Sequence, residues 1–373
     1  MEKKYMDLNE NIRAPQELKD RVLRKAAQME RKETGKPGIY SRGFGLMPKI
    51  AAAAAVLLLV IPLTAFAAHQ LILKDHLKER GLQDETVVQE LVNTFPTETT
   101  TVTEPEGTVE EVVTKPNYEN EYAEYTLLEV VCDENMMYLC TQIKPKTDEY
   151  LLMPSEYSDG DDVSLYGLGE PGTTMEDYVK EKNKPVMLAG VAYYVGEAHV
   201  DGAIESNIQP DGTILQYYSG MNIADNKQFT LRCSTFTGTV DETIAIREAF
   251  DVQVTDKSTS EAVKTGTKFD DRITAEAGLT MVSLDVEQTE LGTYFTFTYK
   301  GGDEMGYNFF PVDAEGNNLP HLPNQISTGG IDNGDGTWSE TVYCQKLESL
   351  DGLQFKIRRF SDAQYFGPYA FPD

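Results

Sequence analysis

Leu279–Tyr299 reads LTMVSLDVEQTELGTYFTFTY. Leu279–Val286 is apolar and partly β-branched, Glu290-Leu291-Gly292 supplies a turn, and Phe295, Phe297 and Tyr299 alternate with Thr296 and Thr298. Two such segments about a glycine-bearing turn predict a β-hairpin, since side chains two apart line one face of a strand. The same texture extends C-terminally through Asn308–Val312, Thr337–Cys344 and Gln354–Phe360.

An upstream block carries the same signals. Leu127, Glu129 and Val131 are expected to alternate with Leu128, Val130 and Cys132. After the turn-like Asp133-Glu134-Asn135, the strand Tyr138–Ile143 returns. Further strands are expected at Val186–Val195, Ile214–Tyr218, Phe229–Thr235 and Phe250–Thr255, with a short helix over Met175–Lys182. Ser258–Thr267 interrupts the pattern with Ser, Thr and Lys, which sets a boundary between blocks 117–266 and 267–373. Asp211-Gly212-Thr213 before one strand is echoed by Asp335-Gly336-Thr337 before another. The expectation is a mainly β region of two tandem immunoglobulin-like β-sandwiches; one larger β domain is the alternative.

Upstream, Leu71–Leu91 predicts two short helices broken at Gly81, the second capped by Asp84, within a juxtamembrane segment 70–93. Residues 94–116 are rich in Thr, Glu and Pro and predict an extended, solvated stalk. Before these stands Ile50–Ala68, IAAAAAVLLLVIPLTAFAA, which carries no charge. At ~1.5 Å rise per residue a helix of that length crosses a bilayer's hydrocarbon core, so 47–69 is expected to span a membrane. Ala65-Phe66-Ala67 also fits a signal-peptidase site after Ala67. The apolar run is longer than a signal h-region, and it is preceded by a long charged head.

Charge gives the orientation. Of 33 basic and 61 acidic residues, the first 49 positions hold 12 and 7, leaving 21 and 54 beyond them. The basic head is therefore expected in the cytoplasm and the acidic remainder outside the cell membrane. That acidity argues against nucleic acid as a direct partner.

The head, 1–46, contains one amphipathic helix opened by Ala14-Pro15, with Leu18, Val22, Ala26 and Met29 on one stripe and Leu23 beside it. A lone helix of this kind needs a partner for its apolar side. Arg13–Ala26, RAPQELKDRVLRKA, followed by a basic patch, one span and an exported β region, resembles single-pass anti-sigma factors of Gram-positive bacteria. The resemblance covers roughly the first seventy residues. It implies that Leu18, Val22, Leu23, Ala26 and Met29 contact a sigma factor, with the exported part sensing an envelope ligand or protein. It further implies that an external signal leads to proteolysis near the span. No His or Cys precedes His69, so the likeness is to the zinc-free members.

Cys132, Cys140, Cys233 and Cys344 all follow the span. Cys132 and Cys140 flank a turn, which allows a cross-strand disulfide; buried free thiols are the alternative. No CxxC pair, GxSxG elbow, HExxH helix or P-loop occurs, so neither an enzyme nor a resident cofactor or metal is expected. Asp159-Gly160-Asp161-Asp162 and Asp332–Gly336 hold carboxylates at spacings that partly suit Ca²⁺, but neither completes an EF-hand loop, and turn chemistry explains them. Tyr193-Tyr194 and Tyr217-Tyr218 each put one ring on each sheet face, which would expose aromatic surface for a protein or glycan. Two functional classes follow: an anti-sigma-like regulator, or a surface-anchored β binding or structural module whose head only sets topology.

Overall fold

The hairpin at Leu279–Tyr299 forms, with Val286 opposite Phe295 and Leu284 opposite Phe297. The computed structural model describes residues 71–372 apart from 83, 85, 96, 105–106, 115 and 302–305. The expected head, the span, and Leu18, Val22, Leu23, Ala26 and Met29 lie outside the described residues. No helix among the described residues is long and apolar enough to cross a membrane.

The fold is mainly β, arranged in several sheets. Two short helices come first, α1 (Ile72–Glu79) and α2 (Thr86–Leu91), followed by β1 (Asn93–Thr94), β2 (Thr97–Glu104) and β3 (Gly107–Thr114). A first lobe contains β4 (Tyr118–Glu119), β5 (Ala123–Cys132), β6 (Met136–Pro145), β7 (Leu151–Pro154), α3 (Met175–Lys182), β8 (Val186–Val195) and β9 (Ala198–His199). It ends with β10 (Gly202–Ile208), β11 (Ile214–Met221), β12 (Gln228–Gly238) and β13 (Ala245–Thr255). A second lobe contains β14 (Glu261–Gly266), α4 (Arg272–Ala277), β15 (Leu279–Gln288), β16 (Gly292–Gly301), β17 (Tyr307–Val312), β18 (Ile331–Asp332), β19 (Trp338–Gln345), β20 (Gln354–Arg359) and β21 (Tyr365–Ala370).

In the first lobe, the sheet β1-β5-β6-β11-β10 faces the sheet β13-β12-β8-β7 across one core that includes Tyr125, Leu139, Tyr193, Ile214 and Leu231. In the second, β14-β15-β16-β19-β18 and β17-β20-β21 enclose Phe295, Phe297, Phe309, Phe355 and Tyr369. Packing of inner faces in this way is the ordinary way two sheets bury their apolar sides. The lobes share a strand plan. Each has a long hairpin, β5-β6 or β15-β16, whose second strand pairs with β11 or β19. The echoed Asp-Gly-Thr turns open these latter strands. Asp211 accepts from the Thr213 amide at 3.0 Å and Asp335 from the Thr337 amide at 2.9 Å. Gly212 and Gly336 take φ of +82° and +84°, which a side chain would strain.

Three expectations are corrected. First, the 94–116 stalk contains a hairpin instead, β2 with β3, from Thr97 opposite Thr114 to Glu104 opposite Gly107. Its threonines and valines favour extended backbone even though few residues are apolar. Second, Glu261–Gly266 pairs with β15, so the boundary inside Ser258–Thr267 falls one strand earlier than 266/267. Third, the register of β5 shifts between Leu127 and Glu129, as a β-bulge does. Leu127 therefore joins Val130 and Cys132 in the first-lobe core instead of sharing a face with Glu129.

Candidate coupling site between the helices and the two lobes

Strands β5 and β6 are buried on both faces. One face belongs to the first-lobe core. The other, carrying Val131, Met136, Tyr138 and Cys140, meets a separate apolar layer. That layer contains Leu73, Leu77, Val87, Val88 and Leu91 from the two helices and Leu291, Tyr294, Leu322 and Tyr343 from the second lobe. The helices thus sit where the lobes meet, and burying their apolar sides there contributes about 1.5–3 kcal/mol per fully buried large side chain.

Directed polar contacts fix the arrangement. Helix α1 has no cap of its own at Leu71. Glu129 of β5 takes that role: its carboxylate accepts from the Ile72 amide at 3.0 Å and the Leu73 amide at 2.8 Å. A carboxylate at a helix N-terminus satisfies free N–H groups and meets the positive end of the dipole. Burial raises the pKa of Glu129, more than those two amides lower it. At the other end of α1, His76 stacks on Tyr217 with ring centroids 3.7 Å apart and planes within 2°. Glu205, the cross-strand neighbour of Tyr217, receives Arg80 Nη2 at 2.6 Å and lies 3.5 Å from His76 Nε2. Burial pushes the His76 imidazole down to about 4, against the pull of Glu205 and with a smaller push from Arg80. Gln345 of the second lobe donates to the Gly81 carbonyl at 2.7 Å, so the turn after α1 is tied to β19.

Between the lobes, Asp133 is fully buried. Its Oδ1 accepts from the amides of Asn135 at 2.8 Å and Met136 at 2.6 Å. Its Oδ2 accepts from the Thr289 hydroxyl at 2.6 Å and from the Tyr294 hydroxyl, both in the second lobe. Burial nevertheless raises its pKa. Tyr138 donates to the Pro323 carbonyl at 3.1 Å and Gln325 to the Ser219 carbonyl at 3.1 Å, adding links of both directions.

The cysteine pair proposed from sequence does not form. All four cysteines are free and buried. Cys132 pairs in register with Met137, while Cys140 pairs with Glu129. Cys132 consequently faces the first-lobe core and Cys140 the inter-lobe layer, on opposite sides of one sheet. Burial pushes all four thiols up. Among the described residues no group of three or more His, Cys, Asp or Glu is arranged to hold a metal ion. The carboxylates of the Asp159–Asp162 turn are engaged locally: Asp161 accepts from the Tyr166 hydroxyl and Asp162 from the amides of Ser164 and Gly172. Asp332 likewise accepts from the Gly334 amide.

Sequence reasoning placed Asp133 in an ordinary turn and gave Glu129 no role beyond strand alternation. The available signal was Glu129 itself, a carboxylate in an otherwise apolar run from Leu127 to Cys132.

No family model and no curated protein matches this chain. Among solved structures it is similar to a conserved domain protein of Bacillus anthracis, at 13% identity and a TM-score of 0.38, covering 64% of this chain and 74% of that one. It is also similar to a Listeria monocytogenes protein crystallised with glucose, magnesium and calcium. That match has 8% identity and a TM-score of 0.18, and covers 62% of this chain and 17% of the other.

Proposed function

We propose that the chain is a single-pass membrane regulator of the anti-sigma-factor type. In this reading Ile50–Ala68 spans the cell membrane with the N-terminus in the cytoplasm. The helix bearing Leu18, Val22, Leu23, Ala26 and Met29 holds a sigma factor. The exported lobes, taken as tandem immunoglobulin-like sandwiches, meet an envelope ligand or protein, and the chain performs no catalysis. The observation that carries the reading is the position of α1 and α2. They follow directly on the apolar stretch, and their buried leucines and valines lie between the lobes. A ligand that shifts one lobe against the other has to move these helices, and a packed two-sided contact transmits such a shift better than a loose tether.

A second reading is a surface-anchored β module whose head only sets topology. The buried Asp133 contacts favour it to the extent that they hold the lobes as one rigid body. Co-purification of the full chain from solubilised host membranes separates the two, with Leu18→Asp/Val22→Asp as the comparison. Recovery of a sigma factor with the native chain and its loss with the double variant is the expected result. Equal recovery with both, or no sigma factor with either, overturns the regulator and leaves the anchored module.

A further inference from the structure

The outer face of the sheet β13-β12-β8-β7 carries a shallow, open depression lined by Tyr194, Glu197, Arg232 and Ser234. Its construction follows from register. Arg232 lies opposite Tyr194 on one side and Asp251 on the other, and Tyr194 lies opposite His199. Cross-strand partners share a face, so these side chains form one row across four strands. The next row on that face is low, with Ala192, Ser234 and Ala249 in register. Beyond it Phe236 lies opposite Arg247, whose guanidinium sits 5.0 Å from the Phe236 ring centroid. Two rows, each pairing an aromatic ring with an arginine, therefore stand about 13 Å apart along the strands, with small side chains between them.

Two guanidinium groups, Arg232 and Arg247, stand on this face of a chain with a net charge of −28. Arg232 is exposed, and its side chain makes no hydrogen bond or ion pair among the described residues, although Asp251 is its register neighbour. Besides its contact with the Phe236 ring, Arg247 has a 3.7 Å ion pair with the exposed Glu242. The Tyr194 ring is held edge-on to His199, centroids 5.1 Å apart, and His199 Nδ1 is 2.9 Å from Asp201 Oδ1. An exposed aromatic ring covers the apolar C–H face of a sugar, while a guanidinium fork pairs with a carboxylate through two parallel hydrogen bonds. Hydroxyl and carboxylate groups at the rim, such as Ser234, Glu197 and Asp251, suit sugar hydroxyls.

We infer that this face binds an acidic saccharide, its carboxylates on Arg232 and Arg247 and its rings against Tyr194 and Phe236. The inference concerns the exported sheet alone and stands whether or not the head binds a sigma factor. The test uses the full chain in nanodiscs and isothermal titration with three probes: a hexamer of galacturonic acid, maltohexaose as the neutral saccharide, and hexaglutamate as the acidic peptide. Binding of the uronate alone is expected, weakened by salt and reduced roughly tenfold or more by Arg232→Gln and by Tyr194→Ala. Arg358→Gln, a substitution on the second lobe, should leave it unchanged. Both test positions are solvent-accessible, and a thermal melt of each variant verifies the fold. Comparable binding of maltohexaose or hexaglutamate overturns the inference. So does unchanged affinity in both variants, or no saturable uronate binding at millimolar concentration.

Discussion

The Asp133 carboxylate of the first lobe accepts the Thr289 hydroxyl of the second at 2.6 Å, with Asp133 wholly removed from solvent. Four donors converge on this one side chain, two from its own turn and two from across the interface. Truncation to Asp133→Ala strands all four in a dry environment, and an unsatisfied buried group costs about 1–3 kcal/mol. A loss of about 3 kcal/mol or more in urea unfolding is expected, together with faster amide exchange at Thr289 and Tyr294. A loss below about 1 kcal/mol would show that the lobes are held by apolar contact alone.

The His76 imidazole gives the helix contact a pH dependence of definite sign. Its folded pKa, about 4, lies below its ordinary 6.5 because protonation would place charge in the buried stack on Tyr217. The unfolded chain then binds more protons between these values. The contribution of neutral His76 is complete above pH 6.5 and is lost as pH falls through about 4. His76→Phe keeps a ring on Tyr217 and removes the titration. The native protein is expected to lose about 2 kcal/mol more than the variant between pH 7 and pH 4, read by thermal unfolding. Parallel pH profiles would refute the assignment.

Thiol chemistry tests the placement of Cys132 and Cys140 on opposite faces of β5-β6. A buried thiol with a raised pKa holds little thiolate at neutral pH and reacts slowly. Native protein is expected to leave all four cysteines unlabelled by iodoacetamide at pH 8, whereas unfolding in urea without reductant exposes four. Two reactive thiols in urea would mean that a disulfide exists.

How far the sequence foretold this arrangement depended on the length scale of each signal. Strands such as Val186–Val195 and the hairpin from Leu279 are written in local alternation, and the break between the two helices in Gly81. The contents of the coupling site are not local. Glu129 looks like a solvent-facing strand residue until α1, more than fifty positions earlier, lays its first amides on it. The β-bulge after Leu127 reverses which residues share a face, and period-2 reasoning has no means to see it. The Cys132–Cys140 bridge that the intervening turn allowed fails for a separate reason: Cys132 lies opposite Met137 and Cys140 opposite Glu129, three positions along the hairpin. The Thr-rich hairpin β2-β3 was hidden by composition, because hydropathy measures burial whereas β-branching measures backbone preference.

Glu340 provides the opposite pH dependence inside the second lobe. It lies on β19 opposite Phe297, fully buried, and Asn308 Nδ2 donates to its Oε1 at 3.0 Å. Burial raises its pKa to about 7, more than hydrogen bonds with Ser327 and Asn308 lower it. For a carboxyl raised in the fold, the folded chain binds the extra proton. The stabilising contribution is complete below its ordinary value near 4.5 and is lost as pH rises through about 7. Glu340→Gln keeps the shape and a hydrogen-bonding oxygen while removing the charge. The variant is therefore expected to match the native protein near pH 4.5 and to exceed its stability by about 3 kcal/mol at pH 8. Denaturant midpoints across that range decide the matter. A variant less stable than native at pH 8 would mean that the ionised carboxylate is held by contacts strong enough to offset its burial.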